Sequence, residues 1–218
     1  MVDIFDEVSQ DLRADRARAL FVRYGGLLLG ACVLAVILVA VWQWNNARTD
    51  RENQRVANVF IAATTQAAAA SDDATRATAI AAFQNIEKQN HAGYATLSRL
   101  NEAALKYESG DLKGALVLWD QVAGDGNAPV LLRDLSALLW VQHQIDTGDT
   151  ALLAGRLAPL LASPNVWHSL ADEQMALLLL REGKTDQARD RLMQLETDST
   201  ASQNVRGRAA ALLASLSG

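Results

Sequence analysis

Residues 101–123 read NEAALKYESGDLKGALVLWDQVA, and in this stretch two apolar runs flank a Gly-Asp turn at Gly110. Before the glycine, Ala103 and Tyr107 stand four residues apart. After it, separations of four and three residues join Ala115, Trp119 and Val122. Such separations place side chains on one face of an α-helix, and glycine ends helices readily because it tolerates the left-handed conformation. The stretch therefore predicts two helices joined by a turn.

The same pattern recurs around Gly148 and Gly183, which follow at intervals of 38 and 35 residues. Six positions are apolar in all three units: those thirteen, seven and three residues before each glycine, and those five, nine and twelve residues after it. Before the glycines they are Leu97, Leu135 and Leu170; Ala103, Val141 and Ala176; and Tyr107, Ile145 and Leu180. After the glycines they are Ala115, Leu153 and Ala188; Trp119, Leu157 and Leu192; and Val122, Leu160 and Leu195. Periods of this length are typical of stacked helical hairpins. We predict that the repeat depends on Gly110, Ala115, Trp119, Gly148, Leu153, Gly183 and Ala188.

Polar residues after the glycines are suited to start the second helix of each unit. Asp111 and Asp149 follow their glycines directly, and in the third unit Thr185 or Asp186, two and three residues after the glycine, could serve the same purpose. Aspartate and threonine side chains accept hydrogen bonds from the free N–H groups at a helix start. We expect these residues to cap the second helices.

The flanks of the three units also have helical patterns. Residues 55–70 and 74–89 predict two alanine-rich helices, separated by the capping run 71–73, and together they resemble a degenerate first repeat. Residues 201–216 predict a closing helix with one apolar face: Val205, Ala209, Leu212 and Leu216. Outside residues 25–44 there is no run of β-branched residues. The sequence therefore predicts an all-α protein, with residues 55–218 forming one helical-repeat domain.

An uncharged stretch of 18 residues, GGLLLGACVLAVILVAVW, precedes the repeats at residues 25–42. At about 1.5 Å per residue, a helix of this length covers roughly 27 Å and can cross a bilayer. We predict one transmembrane helix over residues 25–44, which includes Gly25, Leu29, Cys32, Ile37 and Trp42.

Three other interpretations of this stretch exist. A cleaved signal peptide would need a shorter, basic leader, whereas residues 1–24 contain five acids. A lipoprotein processing box is suggested by residues 29–32, but cleavage there would leave ten more apolar residues at the new N-terminus. A buried core helix would normally carry a polar stripe. The membrane span remains the favoured interpretation.

The N-terminal segment and the charges around the span set the expected topology. Residues 1–24 predict an amphipathic leader helix with apolar residues at Ile4, Phe5, Val8 and Leu12; it either binds a membrane surface or partner, or serves only as an anchor. Residues 45–54 form a juxtamembrane linker. Four arginines precede the span and three follow it closely, so we expect a cytoplasmic N-terminus and an external repeat domain.

Composition excludes several function classes. Residues 45–218 carry 16 basic and 20 acidic side chains, which disfavours nucleic-acid binding. Cys32 is the only cysteine, so the sequence contains no cysteine metal site, and His91, His143 and His168 are far apart. No nucleotide or nucleophile motif is present. We predict no catalytic residue, metal, cofactor or small-molecule substrate.

Residues 101–123 resemble the tetratricopeptide repeat in their alanines, tyrosine, Gly-Asp turn and aromatic residue. Two positions depart from that family: Leu153 replaces an alanine, and Tyr107 stands one residue too near the glycine. Pro164, which closes the second unit, is again typical of the family. The resemblance implies a protein-binding repeat domain.

The whole chain resembles the short alphaproteobacterial form of the YfgM-like family. Members of this family are ancillary subunits of the SecYEG translocon. The resemblance depends most on the leader DIFDEVSQDLRADRARALFVRYG, residues 3–25, and on NVWHSLADEQMALLLLREGKTDQARDRL, residues 165–192. Membership would imply an inner-membrane protein with a periplasmic helical domain. It would also imply that the partners are the translocon and periplasmic chaperones or client polypeptides.

Partner contacts are predicted at apolar side chains that the repeat core does not require. Trp167 lies outside the shared positions, and Leu177 and Leu179 exceed what one buried helix face needs; the alternative is that neighbouring helices bury this helix on both sides. A scaffold for envelope or cell-division assembly would use the same groove. An enzyme fused to a repeat adaptor would need a catalytic cluster, and no residue set qualifies.

Overall fold

The computed structural model describes residues 37–48, 51–89, 92–162 and 164–216. In these ranges the chain is helical with no strand, which confirms the all-α prediction for them. The chain divides into two compact units, residues 1–55 and 56–218. The predicted leader and the span residues Gly25, Leu29 and Cys32 lie outside the described ranges, and so does His91.

In the first unit, residues 37–48 and 51–55 are helical, which includes most of the predicted linker. Apolar side chains of this stretch are more than half exposed, among them Ile37, Trp42 and Trp44. Within the described ranges, no helix is both long and apolar enough to cross a bilayer. The predicted membrane span therefore stays a prediction.

The second unit is a row of nine helices in the described ranges. The first, α1, is the part from residue 56 to residue 68 of a helical stretch that begins at residue 51. The others are α2 Asp73–Glu87, α3 Ala92–Glu108, α4 Leu112–Gly124, α5 Val130–Gln142, α6 Thr150–Leu157, α7 His168–Arg181, α8 Thr185–Thr197 and α9 Gln203–Leu216. From α2 onward, each helix packs against the next in the chain, and α7 also contacts α5 and α9. The hairpins therefore stack in a repeat-like arrangement.

Four of the six shared apolar positions, those seven residues before each glycine and five, nine and twelve residues after it, form the core of the three central hairpins. All twelve side chains at these four positions are buried, and none is more than 2% exposed. At the other two positions the side chains are half-buried, except that of Tyr107, which is 45% exposed. They include Ala115, Trp119, Leu153 and Ala188, on the second helices, and Ala103, on the first. Small residues at some positions and large ones at others let neighbouring helices approach while the interior stays filled. The helical period of the sequence thus corresponds directly to the buried helix faces.

The three turn glycines serve two different physical roles. Gly110 and Gly183 have positive φ angles of 84° and 75°, and the N–H of the residue after each donates across the helix end, from Asp111 to Lys106 and from Lys184 to Leu179. This geometry favours glycine because a side chain would be strained there. Gly148 has no such angle. A Cβ atom there would lie 2.9 Å from the carbonyl oxygen of Gln144, so close packing is what requires glycine.

The second central hairpin departs from its neighbours because both of its helices end early. Helix α5 ends at Gln142 and irregular turns lead to Gly148, whereas α3 and α7 continue to two residues before their glycines. Arg181 compensates by donating to the carbonyl oxygens of Ile145, at 2.7 Å, and Gly148, at 2.5 Å. Helix α6 ends at Leu157, and Pro159 lacks the N–H that would continue the helical ladder. Ala158 keeps a right-handed helical conformation, and the N–H groups of Leu160 and Leu161 both donate to the carbonyl oxygen of Leu157 in the turn that follows.

Capping differs between the hairpins. The carboxylates of Asp111 and Asp149 accept from the backbone N–H groups of Gly114 and Leu152 at 2.9 and 2.8 Å. In the third hairpin the prediction is wrong, since the N-cap position of α8 is Lys184 and no side chain caps the helix. The turn at Gly183 moves the helix start one residue earlier than the sequence suggested.

Several buried polar side chains lie on the first helices of the hairpins. Glu102 of α3 accepts from Gln84 Nε2 at 2.9 Å, and Arg99 Nε donates to Glu87 at 3.1 Å. Burial raises the pKa of Glu87; Arg99 opposes this shift, and the nearby charge of Glu102 adds to it. The ionised form of Glu87 is therefore disfavoured in the folded chain.

Glu87→Gln is expected to stabilise the chain at pH 7 by up to about 1 kcal/mol, the scale of a partly screened ion pair. A carboxyl whose folded pKa is raised contributes stability below its ordinary pKa, and that contribution is lost as the pH rises through the folded value. The gain over wild type should therefore shrink towards pH 4. Urea unfolding at both pH values tests this, with the exposed Glu196→Gln as control. A gain independent of pH would contradict the explanation.

Candidate partner-binding site

The loops that join one hairpin to the next lie along one edge of the domain, opposite the glycine turns. Three cavities line this edge and share residues with their neighbours. Asp134 belongs to the first and second cavities, and residues 164–166 belong to the second and third. We call this surface the inter-hairpin edge; it is built from α5, the segment after α6, the start of α7 and the segment after α8.

A chain of hydrogen bonds fixes the centre of the inter-hairpin edge. Asn165 Nδ2 donates to Asp134 Oδ2 at 2.8 Å, and Asn165 Oδ1 accepts from the backbone N–H of Trp167 at 2.8 Å. The indole Nε1 of Trp167 donates to the carbonyl oxygen of Leu131 at 3.0 Å. The segment between α6 and α7 is thus tied to the first turn of α5, which holds this surface in one geometry.

Apolar side chains project around this fixed centre. Val166 is 80% exposed, and Val130 and Leu131, at the start of α5, are 60% and 49% exposed. These three side chains line a cavity of about 190 Å³ together with Trp167 and Pro164. Exposed single apolar residues are common, but several that share a rigid rim are typical of a protein contact surface.

The cavity on the α7 side is larger and more polar. It has a volume of about 470 Å³ and is lined by Val166, His168, Asp198 and Thr200, with Pro164 and Asn165. Hydrogen bonds from the hydroxyl and N–H of Thr200 lower the pKa of Asp198, and the charge of His168 contributes a smaller part. Asp198 therefore stays ionised at neutral pH, which makes this end of the edge acidic.

The cavity on the α4 side contains two arginines. It has a volume of about 350 Å³, and Arg133 and Arg156 line it together with Asp134 and apolar residues: Ala123, Ala137, Pro159 and Leu160. Arg156 is occupied, because its Nη2 donates to Asp120 at 2.5 Å and its Cζ lies 3.7 Å from the ring centre of Trp140. Two arginines and two aspartates, Asp134 and Asp120, therefore bring charges of both signs to this end of the inter-hairpin edge.

The three predicted contact residues differ in their exposure and in whether they belong to the inter-hairpin edge. Trp167 is half-buried at the start of α7 and belongs to the inter-hairpin edge. Leu177 is half-buried and Leu179 is only 9% exposed, so they do not form an exposed groove; the alternative of burial by neighbouring helices fits them. The sequence pattern missed Val166 and Val130, because isolated apolar residues at loops and helix starts follow no period.

The two histidines in the described ranges lie in separate surroundings. His143 stacks on Trp119, with ring centres 4.7 Å apart and an angle of 6° between the planes, and its ring centre lies 4.0 Å from that of Tyr107. The ring of Tyr107 also lies 6.4 Å from that of Trp119, so the three rings form one cluster. Burial lowers the pKa of His143. Within the described part of the chain, no three histidine, cysteine or acidic side chains are placed to hold a metal ion.

Comparison with known proteins gives one match. A family model described as "Protein of unknown function (DUF2659)" matches residues 1–216. No curated protein and no solved structure matches the chain. The family model covers nearly the whole sequence, including the leader, the uncharged stretch and all the repeats. The chain therefore belongs to the DUF2659 family.

Proposed function

We propose that this protein is a non-catalytic interaction module anchored in the bacterial inner membrane by one N-terminal helix. Its helical-repeat domain is periplasmic and acts as an ancillary subunit of the SecYEG translocon. There it binds translocon components, periplasmic chaperones or client polypeptides. A scaffold role in envelope or cell-division assembly is the competing function and would use the same domain.

The hairpin geometry supports the tetratricopeptide-like assignment within this proposal. Gly110 and Gly183 end their first helices in the left-handed conformation, and the equivalent positions on both sides of each turn are buried. Domains of stacked hairpins expose extended surfaces on which partner polypeptides bind. The resemblance to YfgM-like proteins supports the choice of complex.

The membrane anchor is supported by the sequence of residues 25–42, which contains no charge. Among its described residues, Ile37 and Trp42 belong to a helical stretch and expose more than half of their surface. Large apolar side chains exposed in this way are unfavourable in water and favourable in lipid. The arginines before the span favour a cytoplasmic N-terminus.

The observation that carries the binding function is the inter-hairpin edge. Its apolar side chains, Val130, Leu131 and Val166, surround a centre fixed by the Asn165 hydrogen bonds. A surface held in one geometry loses little conformational freedom on binding, so more of its contact energy appears as affinity. We therefore place the partner contact at this edge rather than at Leu177 and Leu179.

Val166→Glu is expected to reduce capture of partner proteins at least about tenfold, because it places a charge in an apolar contact, at a cost above 1.4 kcal/mol. The full-length chain is crosslinked in intact cells, purified in mild detergent and analysed by mass spectrometry. Val117→Glu is the matched control, since Val117 of α4 is also more than half exposed and lies outside the three cavities of the edge. A third variant replaces residues 25–42 with an unrelated membrane span.

Each outcome of this experiment decides a separate point. Translocon subunits captured by wild type and the Val117 variant, but lost with Val166→Glu, support the proposal and the assigned surface. Loss on span replacement alone places the contact in the membrane and removes the edge from the proposal. Capture of envelope or division proteins without translocon subunits overturns the translocon assignment in favour of the scaffold.

A further inference from the structure

Arg133 is a half-buried cation on the inter-hairpin edge, and its guanidinium makes no ion pair or hydrogen bond in the described part of the chain. Its neighbours are already engaged. Arg156 is paired with Asp120, and Asp134 accepts from Asn165 Nδ2 on the side facing the segment before α7. A charge that is partly removed from water and left without a partner costs free energy, and an incoming anion would offset that cost.

The surroundings of Arg133 narrow the kind of anion that fits. The cavity of about 350 Å³ beside it has an apolar floor that includes Ala137, Pro159 and Leu160. A small hydrated anion would gain nothing from such a floor. A carboxylate carried on methylene groups, as in a glutamate side chain, would place its carbons against the floor and its oxygens at the guanidinium.

Arg133 is also positioned relative to the exposed apolar patch. Val130 and Arg133 stand three residues apart on α5, so their side chains lie on the same face about 5 to 6 Å apart at Cβ. A partner that covers Val130 and Val166 with an aliphatic side chain therefore brings its neighbouring side chain to Arg133. Within one helical turn, this surface therefore offers an aliphatic contact at Val130 and a positive charge at Arg133.

From this geometry we propose that the inter-hairpin edge recognises a polypeptide segment with an aliphatic side chain next to a glutamate. The aliphatic group packs on Val130, Leu131 and Val166, and the glutamate carboxylate enters the adjacent cavity and pairs with Arg133. This inference rests on the proposed protein-interaction function and specifies the partner that the same surface selects.

The test is an NMR titration of the full-length chain in detergent micelles with three small probes. The probes are acetyl-leucyl-glutamate amide, acetyl-leucyl-glutamine amide, and acetyl-leucyl-glutamine with a free C-terminal carboxylate. The readouts are the side-chain Nε–H signal of Arg133 and the methyl signals of Val130 and Val166. The first two probes differ only in the side-chain charge, and the third moves the charge to the chain end.

The glutamate probe is expected to bind about fivefold more tightly than the glutamine amide, the scale of one partly exposed charged pair. Arg133→Gln should remove that difference, while Arg206→Gln, a half-buried arginine on α9 that lines none of the three cavities, should leave it unchanged. Arg133 makes no ion pair in the described ranges, so neither variant should unfold at a lower urea concentration than the wild type.

Equal affinities for the first two probes would overturn the inference, as would a difference that survives Arg133→Gln. Tighter binding of the third probe would replace the glutamate with a C-terminal carboxylate and overturn the stated partner. The absence of saturable shifts at Arg133 and Val166 with all probes would overturn it as well. The titration contains no cellular partner, so these results are independent of the crosslinking experiment on Val166→Glu.

Discussion

Arg208→Met is expected to lower the free energy of unfolding by about 3 kcal/mol, because it leaves a buried carboxylate without its partner. Glu173 of α7 is 4% exposed, and its two oxygens accept from Nε and Nη2 of Arg208, on α9, both at 2.6 Å. The carboxylate raises the pKa of Arg208. Since the arginine side chain is 51% exposed, we expect a loss at the low end of the range for buried pairs.

Urea unfolding of the full-length chain, followed by helical circular dichroism, measures this loss. Arg206→Met is the matched control on the same helix, because Arg206 is half-buried and makes no side-chain ion pair in the described ranges; it should change stability by no more than about 0.5 kcal/mol. A double variant, Glu173→Leu with Arg208→Met, should recover most of the stability that Arg208→Met loses.

A loss below about 1 kcal/mol for Arg208→Met would show that water reaches Glu173 once the arginine is removed. Failure of the double variant to recover would instead show that the pair is needed to position α9 on α7. The two helices contact each other directly, and Arg189 Nη2 of α8 also donates to the carbonyl oxygen of Leu216, at the end of α9. The pair thus links the closing helix to the last hairpin.

The repeat core was predictable because helix periodicity is a local property of the sequence. Four of the six apolar positions counted from Gly110, Gly148 and Gly183 are buried in all three hairpins. The Asp72 cap was predicted in the same way, and its side chain accepts from the N–H of Thr75 at 2.8 Å. Each of these features depends on residues that lie within two helical turns of one another.

Features that depend on distant residues were not predictable. The Gly148 turn requires Arg181, which is 33 residues away, and the Glu173–Arg208 pair spans 35 residues, about one repeat. The sequence showed charged residues within apolar helices, but its pattern did not indicate which of these charges would form pairs. For the candidate site, Trp167 was selected because it fits no repeat position; the bonds that fix it come from α5 and the preceding segment.

Trp119 occupies a core position, and its replacement is expected to cause the largest loss of stability. Trp119→Ala should lower the free energy of unfolding by about 3 to 5 kcal/mol, because it removes a large buried ring and leaves a cavity. Trp119 is 2% exposed, packs with Ala103 and Ala115, and stacks on His143. The two alanines are too small to fill the space, and the backbones of α3 and α4 already lie close together.

Trp119→Phe separates packing from polarity at this position. The indole Nε1 of Trp119 is buried and makes no hydrogen bond in the described ranges, so phenylalanine removes an unsatisfied donor while keeping most of the ring. Its loss should therefore be less than about half that of the alanine variant. Val117→Ala, an exposed position on the same helix, is the control and should change stability by at most about 0.5 kcal/mol.

Urea unfolding of the full-length chain distinguishes the explanations. If Trp119→Ala costs less than about 1 kcal/mol, the aromatic residue does not support the first central hairpin, and the alanines of that hairpin must pack without it. If the alanine and phenylalanine variants lose equally, the stacking on His143 matters more than the filled volume. A large loss with alanine and a small loss with phenylalanine would establish that filled volume at the shared position stabilises this hairpin.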